Sequence, residues 1–207
     1  MIYIIHYTPY TDRKESICRQ LDDVYFIEKY DREQLTDISM YTGMKLTNIS
    51  LIEKHIEAWR LISQSADPFN YNLILEDDAI LADNFKTTLQ VYIQQIPDTY
   101  DMVFLGDGCG FHIPDCLRLT SGNIFPKGNE PSWWGGDGAT RCTDSYLISK
   151  KCCAKLLEAV YKKPISLPID FLLNSLCREL ALEVYWAEPT IVTQGFSETQ
   201  NKSFKGM

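Results

Sequence analysis

The chain opens on an apolar run, Met1 to Ile5, and turns polar immediately after it. A short apolar run bounded by polar residues predicts a buried strand. Behind a Thr11-Asp12 start, Ile17 and Leu21 fall at helical spacing, which predicts a helix from Thr11 to Leu21. Val24 to Ile27 predicts a second strand. Ile52, Ile56, Trp59 and Ile62 recur every three or four positions, as one face of a helix does. Asn72 to Leu75 predicts a third strand. After three acidic residues, the stretch from Asp83 or Asn84 carries Phe85, Leu89 and Ile93 at helical spacing, and beyond Pro97 the run Met102 to Leu105 predicts another strand. Strands alternating with helices imply an α/β fold with a mostly parallel central sheet and helices on both faces.

From Gly106 to Arg141 neither period is sustained. The segment is rich in glycine and proline and carries the pair Trp133-Trp134. A loop of that length inside a compact domain is usually functional or disordered, and large aromatics need somewhere to pack, which argues for function. Regular pattern returns with a short strand at Tyr146 to Ile148 and a helix carrying Cys153, Leu156, Leu157 and Val160. Pro164 and Pro168 break the chain before a last helix near Asp170, and Val184 to Trp186 and Ile191 to Val192 predict short strands. The pattern shows no repeat and no second domain, so residues 1–207 read as one unit with a polar, lid-like tail from 194 to 207.

Composition narrows the function. The formal net charge of −8 argues against nucleic acid as a partner, although a few local Lys and Arg can still hold a diphosphate. Seven cysteines without a CxxC pair fit neither a disulfide framework nor a zinc site, and they suggest reduced thiols in a cytoplasmic, reducing compartment. The opening apolar run is too short for a signal sequence or a transmembrane segment. In a chain that stays out of the secretory route, the sequons at Asn48 and Asn201 carry no glycan.

The most informative stretch is Leu75-Glu76-Asp77-Asp78-Ala79, where three carboxylates interrupt an apolar run at the expected carboxyl end of a strand. Ligands of open parallel sheets bind beyond those ends. Adjacent carboxylates repel one another and resist desolvation, so a cation is a natural counterpart; Mg²⁺ or Mn²⁺ takes one or two carboxylates together with phosphate oxygens and water. The plainer alternative is an acidic strand-to-helix turn, with Asp78 or Asp83 capping the following helix.

The order of these blocks resembles glycosyltransferase family 25, which includes bacterial lipooligosaccharide and collagen-type galactosyltransferases. The blocks are Ile4-Ile5-His6 with Asp12-Arg13, then His55 with Trp59, then Leu75-Glu76-Asp77-Asp78, then Asp144 to Ser149 followed by Ala154, Leu156 and Leu157, and finally Pro168-Ile169-Asp170-Phe171-Leu172. The chain is also similar, more distantly, to small transferases of large DNA viruses. It departs from the family in having Lys54 where a serine precedes the histidine, in lacking the glycines ahead of that helix, and in the 106–141 loop.

That resemblance implies a GT-A fold, a nucleotide-binding α/β sandwich in which an acidic motif holds Mn²⁺ or Mg²⁺ against the diphosphate of a nucleotide-sugar donor, a UDP-sugar, for transfer to a glycan acceptor with inversion. Asp78 is then the first metal ligand, aided by Glu76, with Glu76 or Asp77 reaching the donor ribose or sugar. His6, Tyr7, Thr8 and Arg13 occupy the loop facing the nucleotide, with Arg13 either on the diphosphate or base, or a solvated helix residue paired to Asp12 or Glu15. Asp170 is the candidate base for the acceptor hydroxyl, or a plain helix cap, and Asp144 and Asp137 are the reserves. His55 reads as a structural histidine. Trp133 and Trp134 either stack on a sugar or anchor their loop. Two rival readings are a sugar nucleotidyltransferase, disfavoured because His6-Tyr7-Thr8-Pro9-Tyr10 holds no glycine, and a catalytically silent carbohydrate- or nucleotide-binding protein of the same fold.

Overall fold

The computed structural model describes residues 1–66, 71–118, 122–133 and 136–195. Along these residues run β1 (Ile2–Ile5), α1 (Thr11–Gln20), β2 (Val24–Ile27), α2 (Leu46–Gln64), β3 (Asn72–Glu76), β4 (Ala79–Leu81), α3 (Phe85–Ile93) and β5 (Met102–Phe104). They are followed by β6 (Ile124–Pro126), β7 (Ser145–Ile148), α4 (Lys150–Val160), α5 (Ile169–Glu179), β8 (Val184–Ala187) and β9 (Val192–Gln194). The central sheet has the order β2-β1-β3-β7-β5-β8-β6. β1, β2, β3, β5 and β8 point one way, whereas β7 and β6 point the other. The sheet is therefore mostly parallel in strand direction, as expected, with β7 inserted antiparallel between β3 and β5.

Period-two alternation decides which face each side chain serves. Tyr3, Ile5, Ile74, Met102, Phe104, Tyr146 and Ile148 point to one face, where Ile52, Ile56 and Trp59 of α2, Cys152 and Leu156 of α4 and Leu173 of α5 close over them. Ile4, Leu73, Leu75, Val103, Leu105 and Leu147 point to the other face, against Ile17 of α1 and Phe85 and Tyr92 of α3. Because both faces are covered, β1, β3 and β5 must be apolar at nearly every position, and that is why they read as unbroken runs rather than alternating ones. Burying an isoleucine or leucine this way contributes roughly 1.5–3 kcal/mol, so these positions dominate the stability of the sheet.

Several elements escaped the hydrophobic pattern. The acidic triplet does not lead straight into a helix: β4 follows it and pairs antiparallel with β9 in a separate two-stranded sheet. Consequently neither Asp78 nor Asp83 caps α3, whose cap position is Asn84 without a side-chain cap bond. Nor is Asp170 a helix cap, since Pro168 precedes the first turn of α5 and Asp170 lies inside it. β6 lies within the 106–141 segment and holds the sheet edge against β8, where Pro126 at its end is tolerated. The 194–207 tail begins inside β9, and residues 196–207 lie outside the described residues.

On the α2 face the indole Nε1 of Trp59 donates to the hydroxyl of Tyr146 at 3.0 Å, and Nδ1 of His55 lies 2.9 Å from the same oxygen. All three residues are fully buried. Replacing Tyr146 with Phe removes one oxygen and strands two ring nitrogens in an apolar layer, at a cost of about 1–3 kcal/mol for a buried unsatisfied group. Chemical denaturation of Tyr146→Phe is expected to show a loss of about 2 kcal/mol at unchanged m-value.

Candidate active site

The chain passes from β1 to β2 on one side and then returns to place β3 on the other side of β1. Such a reversal leaves a crevice at the carboxyl ends of the two diverging strands. β1 and β3 pair in register with Ile5 opposite Glu76, so His6-Tyr7 and Asp77-Asp78 leave the sheet side by side. The crevice there is a cleft of about 320 Å³, lined among others by Tyr7, Tyr10, Arg13, Lys54, Glu76 and Asp78. His6, Tyr7, Arg13, Glu76, Asp77 and Asp78, singled out from the sequence, thus share one cleft. Thr8 is exposed and turns instead toward the neighbouring loop, its amide donating to Asp31 at 3.4 Å.

The three acids have different surroundings. Asp77 is the braced one: the amide of Tyr7 donates to its Oδ2 at 3.1 Å, His6 Nδ1 lies 2.9 Å from the same oxygen, and Arg13 donates to Oδ1 at 2.7 Å. Burial opposes its charge, but the bonds from His6, Arg13 and the Tyr7 amide outweigh it and hold the carboxyl below its ordinary value. Asp78 has only Arg13, at 3.4 Å, and its Oδ1 is buried without a hydrogen-bond partner among the described residues. Burial and the neighbouring Glu76 charge push it up to about 6. Glu76 accepts from the Thr143 hydroxyl at 2.7 Å, and His55 Nε2 stands 3.6 Å from it. His55 is therefore a packed histidine shared between Tyr146 and Glu76.

Asp144 approaches from the next strand. Leu75 pairs with Ser145 at the start of β7, and the Glu76 amide donates to the Asp144 carbonyl at 2.9 Å. The residue is 0% exposed, its Oδ1 has no partner among the described residues, and burial together with the Glu76 charge pushes it up to about 7. Gly106 makes this possible: a Cβ there would stand 1.8 Å from Asp144 Oδ2.

Asp170 lines a second recess of about 140 Å³, with Asp137, Thr140, Phe111 and Phe171, near enough to the cleft for the Glu76 charge to act on it. Burial raises its carboxyl, with the Asp170 and Phe171 amides working against the shift and the Glu76 and Asp137 charges adding to it. Asp137 is exposed, and its carbonyl accepts from Asn174 at 2.8 Å. Trp133 is 82% exposed, so it does not anchor its loop in the core. Trp134 lies outside the described residues.

Sequence reasoning missed the floor of the cleft. Lys54 of α2, nearly buried, reaches Asp31 at 2.8 Å and donates to the Lys29 carbonyl at 2.8 Å. Burial lowers its pKa, and Asp31 offsets part of that. Arg32 packs over the Tyr7 ring at 4.5 Å and donates to its hydroxyl. A lysine between Ile52 and Ile56 on the apolar side of a helix was the available signal for the first pair, whereas Arg32 sits in a polar turn that gives none.

What the site can do follows from its charges. Asp78, Glu76 and Asp144 crowd acidic groups at the strand ends with only partial compensation from Arg13, Thr143 and Ser145, so they fit a hard cation; a Mg²⁺ or Mn²⁺ ion bound through one or two carboxylates and phosphate oxygens would satisfy the Asp78 Oδ1. Among the described residues no three ligating side chains are already gathered for a metal. The residues therefore suit an ion delivered with a diphosphate rather than one caged by protein alone.

No protein-family model matches the chain, and neither does any curated protein. Among solved structures, the chain is similar to the inositol-1-phosphate CTP transferase from T. maritima, at 10% identity and a TM-score of 0.44, over 99% of this chain and 73% of that one. It is also similar to mouse xyloside xylosyltransferase 1 in its apo form, at 11% identity and a TM-score of 0.45, over 94% and 71%. At these values neither similarity bears on the choice of activity, which rests on the residues of this chain.

The Asp144 shift carries a consequence for stability. Its carboxyl is near 7 in the folded chain against an ordinary 3.8, so the folded state holds a proton that the unfolded state has lost between those values. The contribution favours folding fully below about pH 4, declines as pH rises through 7, and leaves a buried charge above it. Relative to wild type, Asp144→Asn is expected to gain stability on the order of 3 kcal/mol at about pH 8 and little at about pH 4, read by urea unfolding at both.

Proposed function

We propose that this chain is a metal-dependent glycosyltransferase that takes a nucleoside-diphosphate sugar, a UDP-sugar, in the β1–β3 cleft and passes the sugar to a glycan hydroxyl with inversion. The observation that carries this reading is the pairing, in one cleft at the sheet's switch point, of a guanidinium with an acid whose buried oxygen lacks a partner: Arg13 beside Asp78. That combination matches a diphosphate arriving with a divalent cation, and the order of sequence blocks that resembles glycosyltransferase family 25 supports the sugar.

Asp78 and Glu76 would hold the Mn²⁺ or Mg²⁺ ion, which when bound supplies Lewis-acid stabilisation of the departing diphosphate. Arg13 adds a fixed positive charge at the same place, kept in position by its bond to Asp77. Tyr7 and Tyr10, packed edge to face at 5.0 Å, offer the cleft an aromatic wall for the base or ribose. Asp77, whose oxygens are taken by His6, Arg13 and the Tyr7 amide, acts as the brace that sets Arg13 and the β1 turn.

On the acceptor side, Asp170 takes the proton of the attacking hydroxyl as the acceptor oxygen bonds to the anomeric carbon and the bond to the diphosphate oxygen breaks. Burial raises its carboxyl above the ordinary value, which makes the carboxylate a stronger base for that proton. Asp137 and the exposed ring of Trp133 are the neighbouring candidates for sugar contact. Asp144, fully buried, would have to be uncovered before it could take the proton instead.

Calorimetric titration of UDP in Mn²⁺ is expected to give binding that weakens at least ~10-fold in EDTA or in Asp78→Ala, about 1.4 kcal/mol of lost affinity. Binding with neither UDP nor GDP, under any metal condition, would instead favour a silent scaffold. With a panel of UDP-sugars and glycan acceptors, Asp170→Asn is expected to lower kcat by roughly 10²–10⁴-fold while leaving the donor affinity unchanged. An Asp170→Asn chain with full turnover would remove it as the base.

A further inference from the structure

Cys109 and Cys142 lie 33 positions apart in the chain, yet their sulfurs are 3.4 Å from each other. Both are free thiols; Cys109 is exposed and Cys142 is half-buried, whereas Cys152, Cys153 and Cys177 are buried in the core. The backbones that carry the pair are in direct contact: a Cβ placed on Gly108 would stand 1.7 Å from the Arg141 carbonyl oxygen and 3.0 Å from Cys142 Cβ. Each loop is anchored on the Trp186 indole. Phe111 stacks with Trp186 at 6.5 Å on one side, and on the other Arg141 is fully buried over the same indole and paired with Glu188. Both cysteines also take the left-handed backbone conformation, with φ of 58° and 61°, which non-glycine residues adopt only where the surroundings impose it. The two thiols are thus held facing each other by structure that does not depend on a bond between them.

We propose that Cys109 and Cys142 are a reversible disulfide-forming site, closed by exchange with a low-molecular-weight disulfide. Closing the bond takes the sulfurs from 3.4 Å to the ~2 Å of a disulfide, a small displacement for two loops already in contact. Cys109, the exposed member, gives up its proton and attacks one sulfur of the small disulfide; that S–S bond breaks, and one small thiol leaves with the proton. Cys142 then loses its proton and attacks the Cys109 sulfur, and the second small thiol departs. Two protein thiols become one disulfide while one small disulfide becomes two thiols, so electrons and protons balance. The bond ties the segment after β5 to the segment before β7, and both of its cysteines line the recess that holds Asp170 and Asp137. Closure therefore fixes one wall of that recess, whatever the recess binds.

The test is incubation of the full chain with oxidised glutathione, alkylation of the remaining thiols, and peptide mass mapping. The expected product is a Cys109–Cys142 cross-link, formed equally in Cys116→Ser and reversed by dithiothreitol, with the thermal unfolding midpoint raised by roughly 5–15 °C. In Cys142→Ser, Cys109 is expected to stay trapped as the glutathione adduct. The proposal is overturned if wild-type Cys109 remains as that adduct or pairs with Cys116, or if both thiols still alkylate after oxidation. A cross-link that leaves the midpoint unchanged or lowers it overturns it as well, because native loops already aligned for the bond would gain stability from it.

Discussion

Partly compensated negative charge at the carboxyl end of β3 is the constraint around which the rest of this molecule is arranged. Glu76, Asp77 and Asp78 are consecutive, and pairing with β7 brings Asp144 to the same edge. Among the described residues Asp77 is the one fully braced, by Arg13, His6 and the Tyr7 amide, while Arg13 reaches Asp78 at 3.4 Å. Asp78 and Asp144 each keep a buried oxygen with no partner among the described residues, and both are pushed toward the neutral form. A fold does not gain stability from such an arrangement. On the proposed function, its use is to hold an electrostatic demand that a cation meets, beside the Arg13 guanidinium.

The sheet topology supplies the rigidity that this demand requires. β1, β3 and β5 are buried on both faces, so their ends are fixed by packing. β7, running the other way, begins where they end and thereby adds Asp144 to a site otherwise made by parallel strands. Gly106 and Gly108 let the segment after β5 press against Asp144 and Arg141 where any side chain would collide. The small β4–β9 sheet closes the remaining side, with the Gly195 amide donating to the Asp78 carbonyl at 2.7 Å. The start of the tail is therefore tied to the backbone of the acid with the unmet oxygen.

Much of this was legible in the residues, and the exceptions have physical causes. Strands buried on both faces announce themselves as apolar runs, and so β1, β3, β5, β7 and β8 were found from pattern alone; β2, at the sheet edge with Tyr25 exposed, was found because its residues are apolar all the same. The α2 helix was found because Ile52, Ile56, Trp59 and Ile62 share a face. β9 was found only in part, from Ile191 to Val192, whereas β4 and β6 are three residues long with polar or proline neighbours and exist because of their partners. The acidic triplet pointed to a place that the structure shows as a cleft, but the different surroundings of its three members were hidden. That Asp77 is a brace depends on Arg13 of α1 and on His6 and the Tyr7 amide just beyond β1, and the buried Lys54–Asp31 pair depends on a contact between α2 and the turn after β2. The Cys109–Cys142 contact was equally hidden, since two cysteines 33 residues apart carry no spacing signal.

The central claim is that the Asp78 charge is a standing cost to the fold which a diphosphate-bound cation removes. Thermal unfolding of wild type and Asp78→Asn near pH 8, each in EDTA and in Mn²⁺ with UDP, measures this directly. The account predicts that Asp78→Asn is already more stable than wild type in EDTA and gains almost nothing from Mn²⁺ and UDP, while wild type rises by several degrees, as ~100-fold saturation of a site adds about 2.7 kcal/mol. A variant less stable than wild type in EDTA that still responds fully to Mn²⁺ and UDP would contradict it.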